Sequence, residues 1–90
     1  HFPRADDARD PLTANQIRSF RHFLKTIDKE GIPFEMAHAS NSAGIIHFPA
    51  GSFDMVRPGL MTYGIWPCQG PAVNCPLKPV LRWETKVRLV

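Results

Sequence analysis

What this ninety-residue chain lacks narrows the question first. It has only two cysteines, Cys68 and Cys75, too few for a disulfide framework and not spaced as a zinc signature. A loop disulfide and a pair of reduced thiols are both open, and the reduced pair is the favoured reading. No apolar run approaches the roughly 20 residues that a membrane-crossing helix needs. No charged-then-apolar leader follows His1. A membrane partner or a secreted location therefore has no support, and the chain, opening on His1, reads as a piece of a longer protein. Lys and Arg outnumber Asp and Glu by 11 to 8, but the cations are scattered singly among acids. Neutralising a phosphate backbone needs several cations on one face, so no nucleic-acid partner is expected. No Asp or Glu joins the histidines at a metal-ligand spacing, Ser42 has no GxSxG context, and neither cysteine stands beside a histidine. Neither a metal site nor a nucleophile–base pair can be assembled. Internal repeats and low-complexity tracts are absent too. What remains is an ordinary globular composition, 43% hydrophobic and 21% charged, in a length that allows one small domain with a modest buried fraction.

Within it, helix and strand signals alternate. His1 to Asp10 is charged and turn-prone and reads as the exit of a strand. Pro11 and Thr13 open the clearest helix, with Thr13 as N-cap and Gln16 completing a capping-box pattern. Ile17, Phe20, Phe23, Leu24 and Ile27 form an apolar stripe, while Arg18, Arg21, Lys25 and Lys29 largely occupy the other side. Gly31 is placed to stop the helix, and Pro33 prevents it from resuming. Phe34 to His38 fits a buried parallel strand. Asn41 or Ser42 can cap a short helix from Ala43 to His47, Pro49 to Ser52 is a loop, and Phe53 to Val56 leads into Arg57. Leu60 to Ile65 reads as another strand. Such alternation argues for parallel βα units over residues 1–66. Residues 67–79 hold Pro67, Pro71, Pro76 and Pro79, four of the nine prolines, and read as a linker. Beyond it, Leu81, Trp83, Val87 and Leu89 alternate with Arg82, Glu84, Lys86 and Arg88. That pattern predicts a half-exposed antiparallel strand, opening a second domain over residues 80–90.

The candidate chemistry lies between His38 and Gly64. Asn41-Ser42 stands where a strand gives way to a helix, so free first-turn N–H groups and the serine hydroxyl converge where an anion is favoured. In Arg57-Pro58-Gly59-Leu60, the glycine admits close backbone approach, and the N–H groups of Gly59 and Leu60 can point at the same anion as Ser42. Each segment alone also fits a plain cap or turn. Arg57 at a buried strand end is costly unless hydrogen bonded. His1 and His38 fall at strand C-terminal ends, the edge where βα folds keep ligands. His22 reads as solvated and His47 as a helix end.

HASNSAG followed by FDMVRPGLMTYGIWP, with HFPRADD before and LKPVLRWETKVRLV after, closely resembles the alanine racemase family, in order across essentially the whole chain. The resemblance implies an α/β fold, an eight-stranded (β/α)8 TIM barrel carrying pyridoxal 5'-phosphate, followed by a mostly β domain. This chain would supply the last βα units, the connector and the first strand of that domain, since a barrel needs roughly 250 residues. It further implies interconversion of L- and D-alanine for peptidoglycan, in a cytoplasmic homodimer acting on a small amino acid. By position, Ser42, Gly59 and Leu60 would bind the phosphate, Asn41 would lie beside the cofactor, and Arg57 would hydrogen-bond the pyridine nitrogen. His1 would lie close to the ring and His38 would support Arg57. The family's two bases are a lysine and a partner-subunit tyrosine. Neither is here: Lys25, Lys29, Lys78 and Lys86 lie outside the expected motif, and Tyr63 occupies the YG position. The piece therefore holds no catalytic base and is expected to be inactive alone. The alternatives are a serine or broad-specificity racemase of the same fold, or a noncatalytic cofactor-binding or interaction module. A decarboxylase on this barrel would use an acid where Arg57 stands.

Overall fold

A computed structural model describes residues 1–71 and 75–89. Helix α1 spans Pro11–Lys29. Its N-cap is Asp10, not the expected Thr13: an Asp10 carboxylate oxygen accepts the Leu12 N–H at 2.8 Å. The reason is Pro11, whose fixed φ and missing N–H suit the first helical position, so the helix begins a turn earlier. Thr13 is fully buried instead. At the other end the Gly31 N–H bonds to the Asp28 carbonyl and the Ile32 N–H to the Ile27 carbonyl, both at 3.0 Å. With Gly31 at φ +68°, this is a Schellman stop at the position expected for Gly31. The apolar stripe is narrower than its sequence pattern. Ile17 is buried, but Phe23 is exposed and only stacks along the helix on Phe20, with centroids 6.4 Å apart.

Strand β1 is His38–Asn41, β2 is Met55–Arg57, and the two pair in parallel, His38 opposite Met55 and Asn41 opposite Arg57. The expected strand at residues 34–38 is therefore displaced toward the C-terminus. Phe34 to Met36 are exposed and carry no ladder, because Asp54 intervenes. Its carboxylate takes the Ala37 N–H at 2.9 Å and its own N–H bonds to the Ala37 carbonyl at 3.0 Å. Helix α2, Ser42–His47, follows β1 directly with Asn41 as N-cap, and a 3-10 turn covers Pro49–Gly51.

Two expected strands are absent. Over Leu60 to Ile65 the chain forms a short helix instead, α3, Gly59–Thr62. The Pro58 carbonyl accepts both the Thr62 N–H at 2.9 Å and the Thr62 hydroxyl at 2.6 Å, which closes a helical turn. A short apolar run does not separate the two periods, so the turn chemistry decides. Residues 80–89 take no regular structure, and Trp83 and Leu89 are 88% and 91% exposed. An alternating pattern needs a ladder partner, and none is present among the described residues. The linker reading at 67–79 lies partly outside the described residues, at positions 72–74, as does Val90. Gly64, at φ +76°, has the Lys78 carbonyl oxygen 2.0 Å from where a Cβ would stand, so the connector crosses directly over it.

The core is small: Phe2, Ala5, Ile17, Ala39 and Ala43, with Phe20, Phe48, Phe53 and Cys68 packed against it. Phe2 anchors it, and burying such a ring stabilises by about 1.5–3 kcal/mol. Gly51 sits hard against this group, since a Cβ there would stand 2.9 Å from both Ile17 Cδ1 and Phe2 Cε2. The Ser40 hydroxyl, fully buried, donates to the Gly51 carbonyl at 2.9 Å and ties the turn to β1. Gly51→Ala is expected to destabilise the full-length protein by about 1–3 kcal/mol through overpacking, read as a lowered urea midpoint at unchanged slope.

Candidate functional site

Parallel pairing sets the C-terminal ends of β1 and β2 side by side, and each strand feeds a helix. Ser42 and Gly59, the first residues of α2 and α3, therefore start from one edge, with Arg57 beside them. Ser42 is buried, and its Oγ accepts the Met61 N–H at 3.2 Å, joining the two helix starts. Having accepted there, the hydroxyl keeps its proton to donate. The N–H groups of Gly59 and Leu60 are first-turn donors with no partner inside α3. A Cβ at Gly59 would meet nothing within 4 Å, so space beside these donors is open.

A cavity of about 310 Å³ lies at this edge. His1, Asn41, Ser42, Arg57, Gly59 and Leu60 line it, six of the seven residues singled out from sequence. The seventh, His38, lines a second cavity of about 260 Å³ that shares His1 and Phe2 with the first, and it contacts Arg57 directly. Arg57 is half-buried and held by neutral groups. It donates to His38 Nδ1, to the Ala39 carbonyl at 3.1 Å, and faces His1 Nδ1 at 3.5 Å. Among the described residues no carboxylate pairs with it. A guanidinium stays charged at any physiological pH, so Arg57 brings to the cavity a positive charge with no carboxylate in direct contact.

Asn41 is committed inside the chain. Its Oδ1 accepts the Gly44 N–H at 3.0 Å, and its Nδ2 donates to the Phe2 carbonyl at 2.9 Å and lies 3.2 Å from His1 Nε2. It ties the start of α2 to the segment carrying His1. His47 ends α2, its Nδ1 3.1 Å from the Ala5 carbonyl, and His22 is exposed, as the sequence suggested for both.

Asp6 and Pro67 also line the main cavity and were not among the sequence candidates. Asp6 accepts from Gln69 Nε2 at 3.2 Å, closing the turn after Phe2 against the connector. Nothing local separates Asp6 from Asp7, whose half-buried carboxyl is held below its ordinary pKa chiefly by the Arg9 backbone N–H. Cys68 and Cys75 are free thiols. Burial pushes the Cys68 thiol up from its ordinary pKa, and the Asp6 carboxylate adds to the rise.

Donors at the C-terminal ends of parallel strands, each strand followed by a helix, define the ligand edge of an α/β protein. Comparison identifies the family. A family model described as "Alanine racemase, N-terminal domain" matches residues 1–67, and the chain belongs to that family. It is 41% identical over 87 residues to an alanine racemase of Halothermothrix orenii, covering 97% of this chain and 23% of that protein. It is 40% identical over 94 residues to an alanine racemase of Treponema pallidum subsp. pallidum, covering 100% of this chain and 25% of that protein. With the alanine racemase of Carboxydothermus hydrogenoformans it shares 38% identity over 91 residues, covering 100% and 25%. The chain thus spans about a quarter of the length of the curated relatives it matches. No solved structure matches it. The family implies a TIM-barrel-type fold, of which the described residues hold three helices and two parallel strands.

The raised thiol has a direct readout. At mildly alkaline pH, Cys68 in the folded full-length protein should react with iodoacetamide several-fold more slowly than in urea, and its rate should rise at higher pH than in the unfolded chain. Asp6→Asn should restore only part of the rate, because burial is the larger cause. Equal folded and unfolded rates would contradict the burial argument.

Proposed function

We propose that this chain forms part of the pyridoxal 5'-phosphate site of a full-length alanine racemase. The observation that supports it most is the convergence of Ser42, the first-turn N–H groups of Gly59 and Leu60, and the unpaired Arg57 cation on one cavity. A phosphate and a ring nitrogen with a free lone pair are acceptors, and this donor set suits both. The residues present therefore fit the cofactor.

On this reading Ser42 Oγ and the Gly59 and Leu60 amides hold the phosphate, where the α2 and α3 starts favour negative charge. Arg57 donates to the pyridine nitrogen and, because it does not give up its proton, keeps that nitrogen unprotonated. His38 and the Ala39 carbonyl fix the guanidinium from behind. When bound, pyridoxal 5'-phosphate supplies an electron sink that makes the α-proton of an attached amino acid removable, and an unprotonated ring makes that sink weaker. The family resemblance would give that proton to a lysine and a partner-subunit tyrosine, and this chain's residues would hold the cofactor. The names of the relatives carry the reading to L- and D-alanine. The family resemblance adds a cytoplasmic homodimer that supplies D-alanine to peptidoglycan, with residues 80–90 entering a β domain.

The full-length protein is expected to interconvert L- and D-alanine only when loaded with pyridoxal 5'-phosphate, followed by chiral chromatography of the amino acid. No racemisation by the loaded protein would end this reading. Ser42→Ala should weaken cofactor binding about tenfold or more, since a hydrogen bond to a charged group is worth about 1.5–3 kcal/mol. Titrating apoprotein while following cofactor absorbance measures this, and unchanged affinity would remove Ser42 from the phosphate.

A further inference from the structure

We propose that one extra residue in β1, at Ala39–Ser40, sets the phase of the cavity and brings Asn41 onto the same face as Arg57. From the pair His38–Met55 to the pair Asn41–Arg57, β1 holds Ala39 and Ser40 where β2 holds only Val56. Side chains alternate along a strand, and residues directly opposite in a ladder share a face. Met55 and Arg57, two positions apart, therefore point the same way. His38 and Asn41, three positions apart, would point opposite ways in an uninterrupted strand. Yet both belong to the Arg57 side: His38 contacts the guanidinium, and Asn41 lines one cavity with it. The alternation is broken between them, and burial shows where. Ala39 and Ser40 are both buried, between an exposed His38 and a half-buried Asn41. Two consecutive inward side chains facing one partner residue make a β-bulge, a feature rare in parallel pairs that re-aims the side chains beyond it.

Local chemistry holds the bulge in place. The Ser40 hydroxyl donates inward to the Gly51 carbonyl at 2.9 Å. A Cβ on Gly44 would stand 3.1 Å from Ser40 Oγ, so the inward position is filled. The Ala39 carbonyl accepts from Arg57 Nη2 at 3.1 Å, and the guanidinium itself thus grips the bulge. In an uninterrupted strand Ser40 would stand opposite Arg57 with its hydroxyl at the cavity, and Asn41 would turn toward the core. Asn41 would then leave the Phe2 carbonyl and the Gly44 N–H, and Ser42 would enter α2 out of line with Met61. Ala39 and Ser40 are in this sense positioning residues, acting on the cavity through Asn41 and Ser42. The use of the phased cavity for a cofactor rests on the reading above, whereas the phase itself does not.

The test is thiol labelling of the full-length apoprotein with iodoacetamide, read from the mass of the modified peptide so that Cys68 and Cys75 are told apart. The thiol introduced by Ser40→Cys should react more than about tenfold more slowly than in urea, since only opening of the fold exposes it. The thiol introduced by Asn41→Cys should react at close to its rate in urea, because it lines the cavity. A fast thiol at position 40, or a slow one at position 41, is the pattern of an uninterrupted strand and would overturn the phase. Deleting Ala39 removes the extra residue. In that background the Ser40→Cys thiol should become reactive, and cofactor affinity should fall about tenfold or more as Ser42 leaves the phosphate. Circular dichroism shows whether the deletion variant folds, and a folded one that keeps the thiol protected would also overturn the proposal. The labelling pair decides the matter whether or not that variant folds. Pyridoxal 5'-phosphate titration of the unmodified protein separates the two readings. The expected labelling without cofactor binding would leave the bulge in its role and remove only the cofactor.

Discussion

The parallel pairing of β1 with β2 is the constraint from which the rest follows. It sets Asn41 opposite Arg57, and since each strand turns at once into a helix, it also places the starts of α2 and α3 together. Ser42 and Met61 then bridge those starts. Without that register the serine, the two free amides and the guanidinium would be unrelated polar groups on separate turns. The pairing is only three to four residues long, so it depends on what packs beneath it. Phe2 and Ile17 close on Gly51, and the buried Ser40 hydroxyl holds that turn to β1.

Charge is the second organising element. A half-buried cation is usually matched by a carboxylate. Arg57 is matched instead by two imidazoles and a carbonyl, so its position is fixed while its charge remains available to a ligand. Burying it this way costs stability that a carboxylate would return, and such costs are concentrated where a protein binds something.

Much of this arrangement could be read from local signals. Gly31 stops α1 as its left-handed backbone requires, and Asn41 caps α2. The order of helix and strand from Pro11 to Arg57 is also legible, because turn and cap chemistry is local. The misreadings are instructive. Thr13 and Gln16 fit a capping-box pattern, but the preference of Pro11 for the first helical position places the cap at Asp10. Leu60 to Ile65 has too few residues to separate a helical from a strand period, and the Pro58 carbonyl decided it. Residues 80–89 carry a clear strand pattern, and the ladder partner it needs is not among the described residues. At the site, six singled-out residues do line one cavity, with His38 beside them. The place of Asp6 there is not legible locally, because it depends on Gln69, 63 residues away. The contacts of His1 are equally beyond local sequence, since they span 40 and 56 residues.

The bond from Met61 to Ser42 has a consequence for which form of a ligand the helix starts accept. A serine hydroxyl that already accepts a hydrogen bond from a backbone amide keeps its own hydrogen to donate and one lone pair, and the Gly59 and Leu60 amides can only donate. A phosphate monoester that still carried its last proton would bring a P–OH to a cradle with three donors and a single remaining acceptor. On the cofactor reading proposed above, a donor-rich cradle of this kind would favour the dianion, the form that prevails above about pH 6, and acidification would loosen such a ligand even if no protein side chain changed its charge.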